Sequence, residues 1–360
     1  MKKKVWIIFL LFIMVACHPE INNEVTVPID NIDFSSAKKA NLKDLLSDVS
    51  TNYVLLKNTN EDQMFGRIDK IIIKQGRIYI ADNRMRSLVI YDENGLGVSK
   101  VGTVGQGPKE FLNLADFDVD SLGNIYILDG RLDKLLKYDN NLVCMKETKL
   151  PFEADILKVL GNSKVLYGLS SWNKREAEGS KIVLADTTFG GFRKYFEYTD
   201  AVDPAYWISG YMFADTPNFV AYNQTVSDDI YIFDHQGELK KILRFNFGNE
   251  NVPDKDKVDI ERNLRNYDNY IMLRKILAVT DKYIVGFVWE HRQKKMFVFD
   301  YIQNVCYMGD VISDYDYRIG CGFCAEGIIS YMDSESELYP DSVNEHLRNE
   351  GVALKIQSVN

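Results

Sequence analysis

Apolar and polar residues alternate in short runs along the chain, and the runs recur at a fixed spacing of 47 residues. Aligned at that offset, residues 69–95 and 116–142 share 11 of 27 positions. Each copy holds runs such as Arg77–Ala81 bounded by Gly, Asn or Asp, which is typical of β-strands joined by hairpins. A repeat of this length built from short strands indicates a β-propeller. The shared residues are Asp69/Asp116, Gly76/Gly123, Ile78/Ile125, Tyr79/Tyr126, Ile80/Ile127, Asp82/Asp129, Arg84/Arg131, Leu88/Leu135, Tyr91/Tyr138, Asp92/Asp139 and Asn94/Asn141.

Strand patterns of the same kind continue to the C-terminus, although their similarity weakens after about residue 150. Each clear repeat contains four runs, so each is predicted to form one four-stranded antiparallel blade. The pattern predicts an all-β fold, a six-bladed β-propeller with short helical inserts, as one domain at residues 39–360. The first strand recognised in each successive blade is Ile71–Lys74, Phe117–Val119, Lys164–Leu169, Asn218–Tyr222, Tyr283–Val288 and Tyr317–Gly320.

A propeller ring must close, because an open ring leaves an exposed strand edge. Tyr53–Leu56 precedes the first blade and has no partner within it, so we expect this strand to complete the last blade. Three polar segments have helical spacing of their apolar residues and are predicted to be helices. They are residues 39–48, 254–275 and 341–349.

The N-terminus has the pattern of an export signal. Lys2, Lys3 and Lys4 precede an apolar run at residues 5–15, which is too short to span a bilayer as a helix. The run ends at Ala16-Cys17, which resembles a bacterial lipobox, and Cys17 is therefore predicted to be lipidated. The alternative is a plain signal peptide followed by a chance cysteine. We assign residues 1–16 to the signal and 17–38 to a lipidated tether, which is polar and aperiodic.

Charge restricts the class of partner. The chain has a formal net charge of −9, and removal of the signal with its three lysines makes it −12. Nucleic-acid binding requires a basic surface, so no nucleic-acid partner is expected. With 46% hydrophobic and 12% aromatic residues, the chain has enough apolar side chains for a large core.

The segments YVLLKNTNEDQMFGRIDKIIIKQGRIYIAD (53–82) and VGTVGQGPKEF (101–111) resemble six-bladed β-propeller lipoproteins of Bacteroidetes, relatives of the NHL-repeat and TolB-type propellers. The resemblance covers most of the chain and is strongest over 53–142. Gly105–Phe111 corresponds to the G-x-G-P-x-E-F turn of that family. This segment lacks the Lys-Ser/Thr ending of a phosphate-binding loop, so we expect a structural turn. The resemblance implies the fold and a cell-envelope location, and no particular reaction.

In propellers of this type, the loops between second and third strands and between blades lie on one face around the channel. Arg in such loops recognises carboxylates or phosphates, and Trp offers a flat surface for a sugar or peptide ring. We therefore predict a ligand site at this mouth of the channel. Its candidate residues are Asp82, Arg84, Arg86, Asp129, Arg131, Trp172, Arg175, Trp289, His291 and Arg292.

A structural role is the alternative for part of this set. Arg84 and Arg131 occupy equivalent positions in the repeat, each two residues after an aspartate, and the recurrence favours Arg–Asp pairs that lock the blades. Arg86 has no such equivalent, because Asp133 occupies its position in the second blade.

The residues that catalysis would require are sparse. The chain has 4 His, none of which is at metal-ligand spacing from another, and no Ser/His/Asp pattern is present. No catalytic residue and no bound cofactor is predicted. Some six-bladed lactonases hold calcium in the channel, and the resemblance leaves calcium bound by Asp82, Asp129 or Asp228 as an open alternative.

Cysteines add one further motif. Cys321 and Cys324 form a C-x-x-C motif between two strand patterns. The two residues could be inert thiols, form a local disulfide, or have a redox or metal-binding role, and these alternatives stay open. Cys144 and Cys306 lie in predicted outer strands and are expected to be packing residues.

Together these features predict a lipid-anchored outer-membrane protein of the cell envelope that acts as a binding or scaffold propeller. Its partners would be the membrane, through the lipid, and an envelope complex, a peptide or a carbohydrate at the channel mouth. The alternative function is a propeller hydrolase or lyase with a metal in the channel.

Overall fold

Six four-stranded antiparallel sheets surround a central channel and form a six-bladed β-propeller. The first strand of each blade lies nearest the channel, where it contacts the first strands of neighbouring blades. The fold class predicted from the repeat is confirmed. The computed structural model describes residues 27–41, 50–161, 163–169, 173, 176–198, 213–223, 227–263, 265–291, 293–310, 319–324, 327–337, 339–349 and 351–358.

Three strands precede the first blade, and the first two lie on the outer edges of distant blades. They are β1 (Ile29–Asp33), β2 (Lys38–Lys39) and β3 (Thr51–Leu56), with a 3-10 turn at Phe34–Ser36. β1 pairs in parallel with the outer strand of blade four, and β2 with that of blade five.

This arrangement corrects the predicted tether at 17–38. Ile32 and Phe34 are each only 4% exposed, and the Phe34 ring packs edge-on against Phe247 with 4.9 Å between centroids. Residues 27–39 are instead part of the propeller, where they bury these side chains and cover two open sheet edges. Residues 1–26, with the predicted signal and Cys17, lie outside the described residues. So do residues 42–49, which include most of the predicted helix at 39–48.

Blades one and two match the predicted strands within one or two residues at each end. A short parallel pair, β8 with β9, forms the connection between them. The strands are β4 (Lys70–Lys74), β5 (Arg77–Asp82), β6 (Ser87–Asp92), β7 (Gly97–Val101), β8 (Thr103–Val104), β9 (Glu110–Phe111), β10 (Asp116–Val119), β11 (Ile125–Asp129), β12 (Lys134–Tyr138) and β13 (Cys144–Lys149).

Blades three and four each contain an inner strand that the sequence patterns did not indicate. These inner strands, β14 and β18, shift the other strands of each blade one place outward from the channel. The strands are β14 (Ala154–Val159), β15 (Lys164–Leu169), β16 (Ser180–Asp186), β17 (Phe192–Glu197), β18 (Phe213–Asp215), β19 (Val220–Tyr222), β20 (Asp229–Phe233) and β21 (Leu239–Asn246).

Blades five and six complete the ring. Between blades four and five, the predicted helix at 254–275 is only partly present. Asp254–Lys257 and Ile260–Asn263 are helical turns, but the segment ends in the inner strand of blade five, whose Ile271 and Leu273 are buried. The strands are β22 (Ile271–Val279), β23 (Tyr283–Glu290), β24 (Gln293–Asp300), β25 (Val305–Asp310), β26 (Ile319–Cys324), β27 (Gly327–Met332) and β28 (Val352–Ser358).

The ring closes through its N-terminal strand. β3 pairs antiparallel with β28, with Leu56 opposite Val352 and Thr51 opposite Gln357, and so forms the outer strand of blade six. The predicted C-terminal helix is present at Asp341–Arg348. The remaining regular elements are 3-10 turns at Glu61–Gln63, Gly248–Glu250 and Asn266–Asn269.

The apolar core lies between neighbouring blades. One cluster joins Tyr79 and Ile90 of blade one to Phe117 and Ile127 of blade two, and all four side chains are fully buried. Phe111, from the Gly-rich segment 105–111, belongs to the same cluster. The segment is a turn that leads into a strand, as predicted, and Gly107 N–H donates to the Glu110 carboxylate.

Candidate functional site at the channel mouth

The predicted aspartates are buried and hold loops in place. Asp82 is 1% exposed, and its carboxylate accepts hydrogen bonds from the backbone N–H groups of Gly66, Arg67 and Met85 at 2.8–3.0 Å. It therefore connects the loop before blade one to the loop between the second and third strands of that blade.

Asp129 repeats this arrangement in blade two. It is fully buried and accepts from the N–H groups of Leu112, Arg131 and Leu132 at 2.7–2.9 Å. The expected Arg–Asp pairs are wrong. Arg84 and Arg131 are exposed, and neither forms an ion pair with any residue that the structure describes. The carboxylate oxygens are already occupied by backbone N–H groups, so the arginine side chains are left toward solvent.

The other predicted ligand residues that the structure describes belong to blades one and five. Arg86 is exposed and adopts a left-handed backbone with φ 52°, as does Asp133 at the equivalent position. In blade five, Trp289 is half-buried, and His291 Nε2 lies 2.9 Å from Glu250 Oε1. Trp172, Arg175 and Arg292 lie outside the described residues. A shared ligand site for this set stays a prediction.

A cavity of about 460 Å³ lies at the opposite mouth of the channel. Lys74, which lines the cavity, is the last residue of the first strand of blade one. The chain then turns back along the second strand, and Asp82 lies at the end of that strand, on the other side of the propeller. The volume is within the range of roughly 300–1,000 Å³ that is usual for small-molecule sites. Two other cavities among the described residues have similar volumes, about 550 and 490 Å³, and this one differs from them in being lined by buried charged residues.

Buried ion pairs form the floor of this cavity. Lys70 Nζ lies 2.7 Å from Asp116 Oδ1 and donates to the Phe117 carbonyl at 2.8 Å. The other carboxylate oxygen of Asp116 accepts from Leu157 N–H at 2.9 Å. Each polar group thus has a partner, which is the condition for placing charges in a protein interior.

Lys158 is the centre of a second buried group. Its Nζ atom lies 3.0 Å from Asp118 Oδ2 and 2.8 Å from Asp215 Oδ2. Burial would raise the pKa of Asp118, but the neighbouring lysines, Lys158 first, outweigh burial and hold that pKa below the ordinary 3.8. Burial likewise opposes the charge of Lys158, yet the two carboxylates raise its pKa above the ordinary 10.5. Both groups are therefore charged at neutral pH.

Three side chains at the rim are only partly buried. Lys74, Asp215 and His235 are between 27% and 33% exposed. Lys74 Nζ donates to the Val119 carbonyl at 2.9 Å and lies 3.8 Å from Asp215 Oδ2. Asp215 Oδ1 is buried without a hydrogen-bond partner among the described residues, and His235 Nδ1 lies 3.9 Å from it.

None of these cavity residues was identified from the sequence as a candidate. A signal was present in two inner strands, where charged residues are two or four positions apart with apolar residues between them: Asp116 and Asp118 in β10, and Lys70 and Lys74 in β4. In an inner strand, one face of this alternation points toward the channel.

Calcium in the channel stays an alternative, and the three aspartates considered for it have separate partners in the structure. Among the described residues, no three His, Cys, Asp or Glu side chains lie close enough to share an ion. The carboxylates of Asp82 and Asp129 already accept hydrogen bonds from backbone N–H groups. Asp228 accepts from Asn251 Nδ2 at 2.9 Å and from Leu273 N–H at 3.3 Å, and burial raises its pKa.

The four cysteines in the described part of the chain lie in strands. Cys321 and Cys324 are both within β26, not between strands, and their side chains lie outside what the structure describes, so the disulfide stays a prediction. Cys144 and Cys306 are free thiols, and burial raises the pKa of Cys306 to about 12. A search for membrane-spanning helices over the described residues found none of sufficient length and apolarity.

Solved structures with the same fold support the architecture. A Bacteroides fragilis NCTC 9343 protein whose name describes it as exported is similar over 92% of this chain and 99% of its own, with a TM-score of 0.73 and 16% identity. A member of the DUF4221 family from Bacteroides vulgatus ATCC 8482 is similar over 86% and 98%, with a TM-score of 0.54 and 11% identity. At these identities the likeness shows the fold alone.

A search of the curated proteins found no match. The family comparison, in contrast, covers nearly the whole chain, including strand β1 and the C-terminal helix. Residues 25–348 match one family, and the chain therefore belongs to the family described as Domain of unknown function (DUF4934).

Proposed function

We propose that this protein is a lipid-anchored binding propeller of the cell envelope, and that it holds a ligand in the channel-mouth cavity. The observation that supports this proposal is the cavity, which has Lys74, Asp215 and His235 at its rim and ion pairs beneath it. Concave sites with a few convergent polar groups between apolar walls are the usual form of small-molecule sites.

The envelope location has separate support. The lipobox-like Ala16-Cys17 follows a basic and apolar leader, and the similar Bacteroides fragilis protein is described as exported. The resemblance to lipoproteins of the NHL and TolB type points the same way. Replacing Cys17 by Ser should move the protein from the membrane fraction to the soluble fraction, because no acyl chain can then be attached.

The binding proposal is tested by filling the cavity. Gly161 lines the cavity, and a Cβ atom there would meet only the His235 carbonyl, at 4.0 Å, so Gly161→Trp adds a large ring to the cavity wall with no clash at its Cβ atom. Gly191→Trp is the matched control, because Gly191 is exposed and has no heavy atom within 4 Å of its Cβ position.

The readout is mass spectrometry of small molecules released from the full chain, purified from the membranes of its own cells. We expect wild type and Gly191→Trp to carry the same compound and Gly161→Trp to lack it, with equal thermal unfolding of all three once the compound has been removed. A compound retained by Gly161→Trp, or absent from all three, contradicts binding in this cavity.

A further inference from the structure

We propose that the channel-mouth cavity binds an uncharged sugar or polyol, whose two neighbouring hydroxyl groups donate to Asp215 and His235. This inference rests on the proposed function and gives the chemical class of its ligand. It is carried by two unfilled acceptors that lie side by side in a site whose other charged groups already have partners.

The first acceptor is Asp215 Oδ1. The other carboxylate oxygen of Asp215 is taken by Lys158 at 2.8 Å, whereas Oδ1 is buried and has no hydrogen-bond partner among the described residues. A buried carboxylate oxygen without a donor is costly, so the site is incomplete as the protein alone forms it.

The second acceptor is His235 Nδ1. His235 Nε2 lies 2.8 Å from the Thr216 carbonyl, which only accepts, so Nε2 carries the hydrogen. In the neutral ring, Nδ1 therefore presents a lone pair, 3.9 Å from Asp215 Oδ1. That separation is too long for a direct hydrogen bond, but two adjacent hydroxyl groups can each reach one acceptor.

Charge balance selects against a charged ligand. Lys70 is paired with Asp116, and Lys158 lies between Asp118 and Asp215. A ligand ammonium at Asp215 Oδ1 would be repelled by Lys158 and by Lys74, which is 3.8 Å from Asp215. A ligand carboxylate would be repelled by Asp215 itself. A hydroxyl group supplies the missing donor without either cost.

The remaining walls suit the same class of ligand. Ile72, Val159, Phe213 and Pro217 line the cavity beside the polar groups. Sugars present C–H surfaces as well as hydroxyls, so mixed walls of this kind bury both parts. The Lys74 ammonium group uses one N–H to donate to the Val119 carbonyl, and another can donate to a ring or hydroxyl oxygen of the sugar.

The test uses probes that differ only in charge. Glucose, galactose and mannose are compared with their amino sugars and uronic acids by ligand-observed NMR and calorimetry on the full chain at neutral pH. We expect at least one neutral hexose to bind and to bind more tightly than both of its charged counterparts. Tighter binding of an amino sugar or uronic acid, or no binding of any hexose at millimolar concentration, overturns the inference.

Asp215→Asn tests the acceptor directly. Lys158 requires an oxygen opposite it, so the amide NH2 takes the place of Oδ1 and turns the acceptor into a donor. Hexose binding should weaken by about tenfold or more. Asp62→Asn, at an exposed position outside the cavity, should leave binding unchanged. His235→Phe, which removes Nδ1 at a half-buried position, gives the same test if Asp215→Asn does not fold.

The outcomes separate the two proposals. Loss of binding in Gly161→Trp together with a preference for a charged probe overturns the ligand class and keeps the binding function. Hexose binding that survives both Gly161→Trp and Asp215→Asn places the ligand elsewhere and contradicts both proposals. A water molecule found on Asp215 Oδ1, with no hexose bound, overturns the ligand class alone.

Discussion

Lys158 Nζ, on the inner strand of blade three, lies 2.8 Å from Asp215 Oδ2 on the inner strand of blade four. The same ammonium lies 3.0 Å from Asp118 on the inner strand of blade two. One buried cation thus joins three consecutive blades at the channel. Charges in such a position stabilise a particular arrangement only while all partners are present.

Replacing Lys158 by Met should lower the free energy of unfolding by about 3–5 kcal/mol, because Asp118 and Asp215 are then left without their buried cation. Lys100→Met, on an exposed outer-strand position, should change it by less than about 0.5 kcal/mol. Denaturant unfolding of both variants measures the difference, and equal stabilities would show that Lys158 does not hold the blades.

The stabilisation of the fold by Lys158 should decrease at alkaline pH. Its pKa in the folded chain is raised above 10.5, so above that pH the unfolded chain loses the proton while the folded chain keeps it. The stability it provides is complete below pH 10.5 and is lost as the pH rises toward the folded value. The stability gap between wild type and Lys158→Met should therefore narrow as the pH rises above about 10.5. A constant gap over that range contradicts the raised pKa.

Asp129→Ala and Arg131→Ala distinguish a loop-holding carboxylate from an ion pair. Asp129→Ala leaves three N–H groups without their acceptor and should cost about 1–3 kcal/mol. Arg131→Ala removes an exposed side chain and should cost less than about 0.5 kcal/mol. Thermal or denaturant unfolding distinguishes the two roles. Equal losses of unfolding free energy in the two variants would instead support an Arg–Asp ion pair.

Phe34→Ala tests whether the segment before blade one is part of the propeller. Phe34 is 4% exposed and packs against Phe245 and Phe247, so its removal should cost about 3–5 kcal/mol. Ile29→Ala is the control, because Ile29 lies in the same segment and is 44% exposed. Unfolding curves that coincide for wild type and both variants would indicate a detached tether.

The two described free cysteines should differ in reactivity. Burial raises the pKa of Cys306 to about 12, so almost none of this thiol is ionised near pH 8, and the side chain is also shielded from solvent. Cys144 is half-buried. Iodoacetamide treatment of the folded protein, followed by peptide mapping, should modify Cys144 before Cys306, and denaturant should remove the difference. Faster labelling of Cys306 would contradict its burial.

Local alternation was sufficient to predict the strands of blades one and two. Arg77–Asp82 and Ile125–Asp129 have apolar runs bounded by turn residues, and this pattern depends only on neighbours in the chain. The inner strands of blades three and four were missed for the opposite reason. Phe213–Asp215 has three residues, and Ala154–Val159 contains Asp155 and Lys158, so neither has an uninterrupted apolar run.

The candidate site could not be predicted in the same way. Lys70, Asp118, Lys158 and Asp215 belong to four different blades, and their partners are distant in sequence. The predicted site was placed instead on Asp82, Arg84 and equivalent residues, because Arg and Trp side chains in loops around a channel are suited to binding a ligand.

A six-bladed propeller could be predicted from the amino-acid sequence alone, since strand alternation and the 47-residue repeat reflect local hydrogen bonding and burial. Which charged side chains meet depends on how the blades pack around the ring. Ring closure sets which inner strands are neighbours, and that geometry brings Lys158 to Asp118 and Asp215. The tertiary structure also decided that β1 covers the edge of blade four, because that edge exists only once the blade has formed.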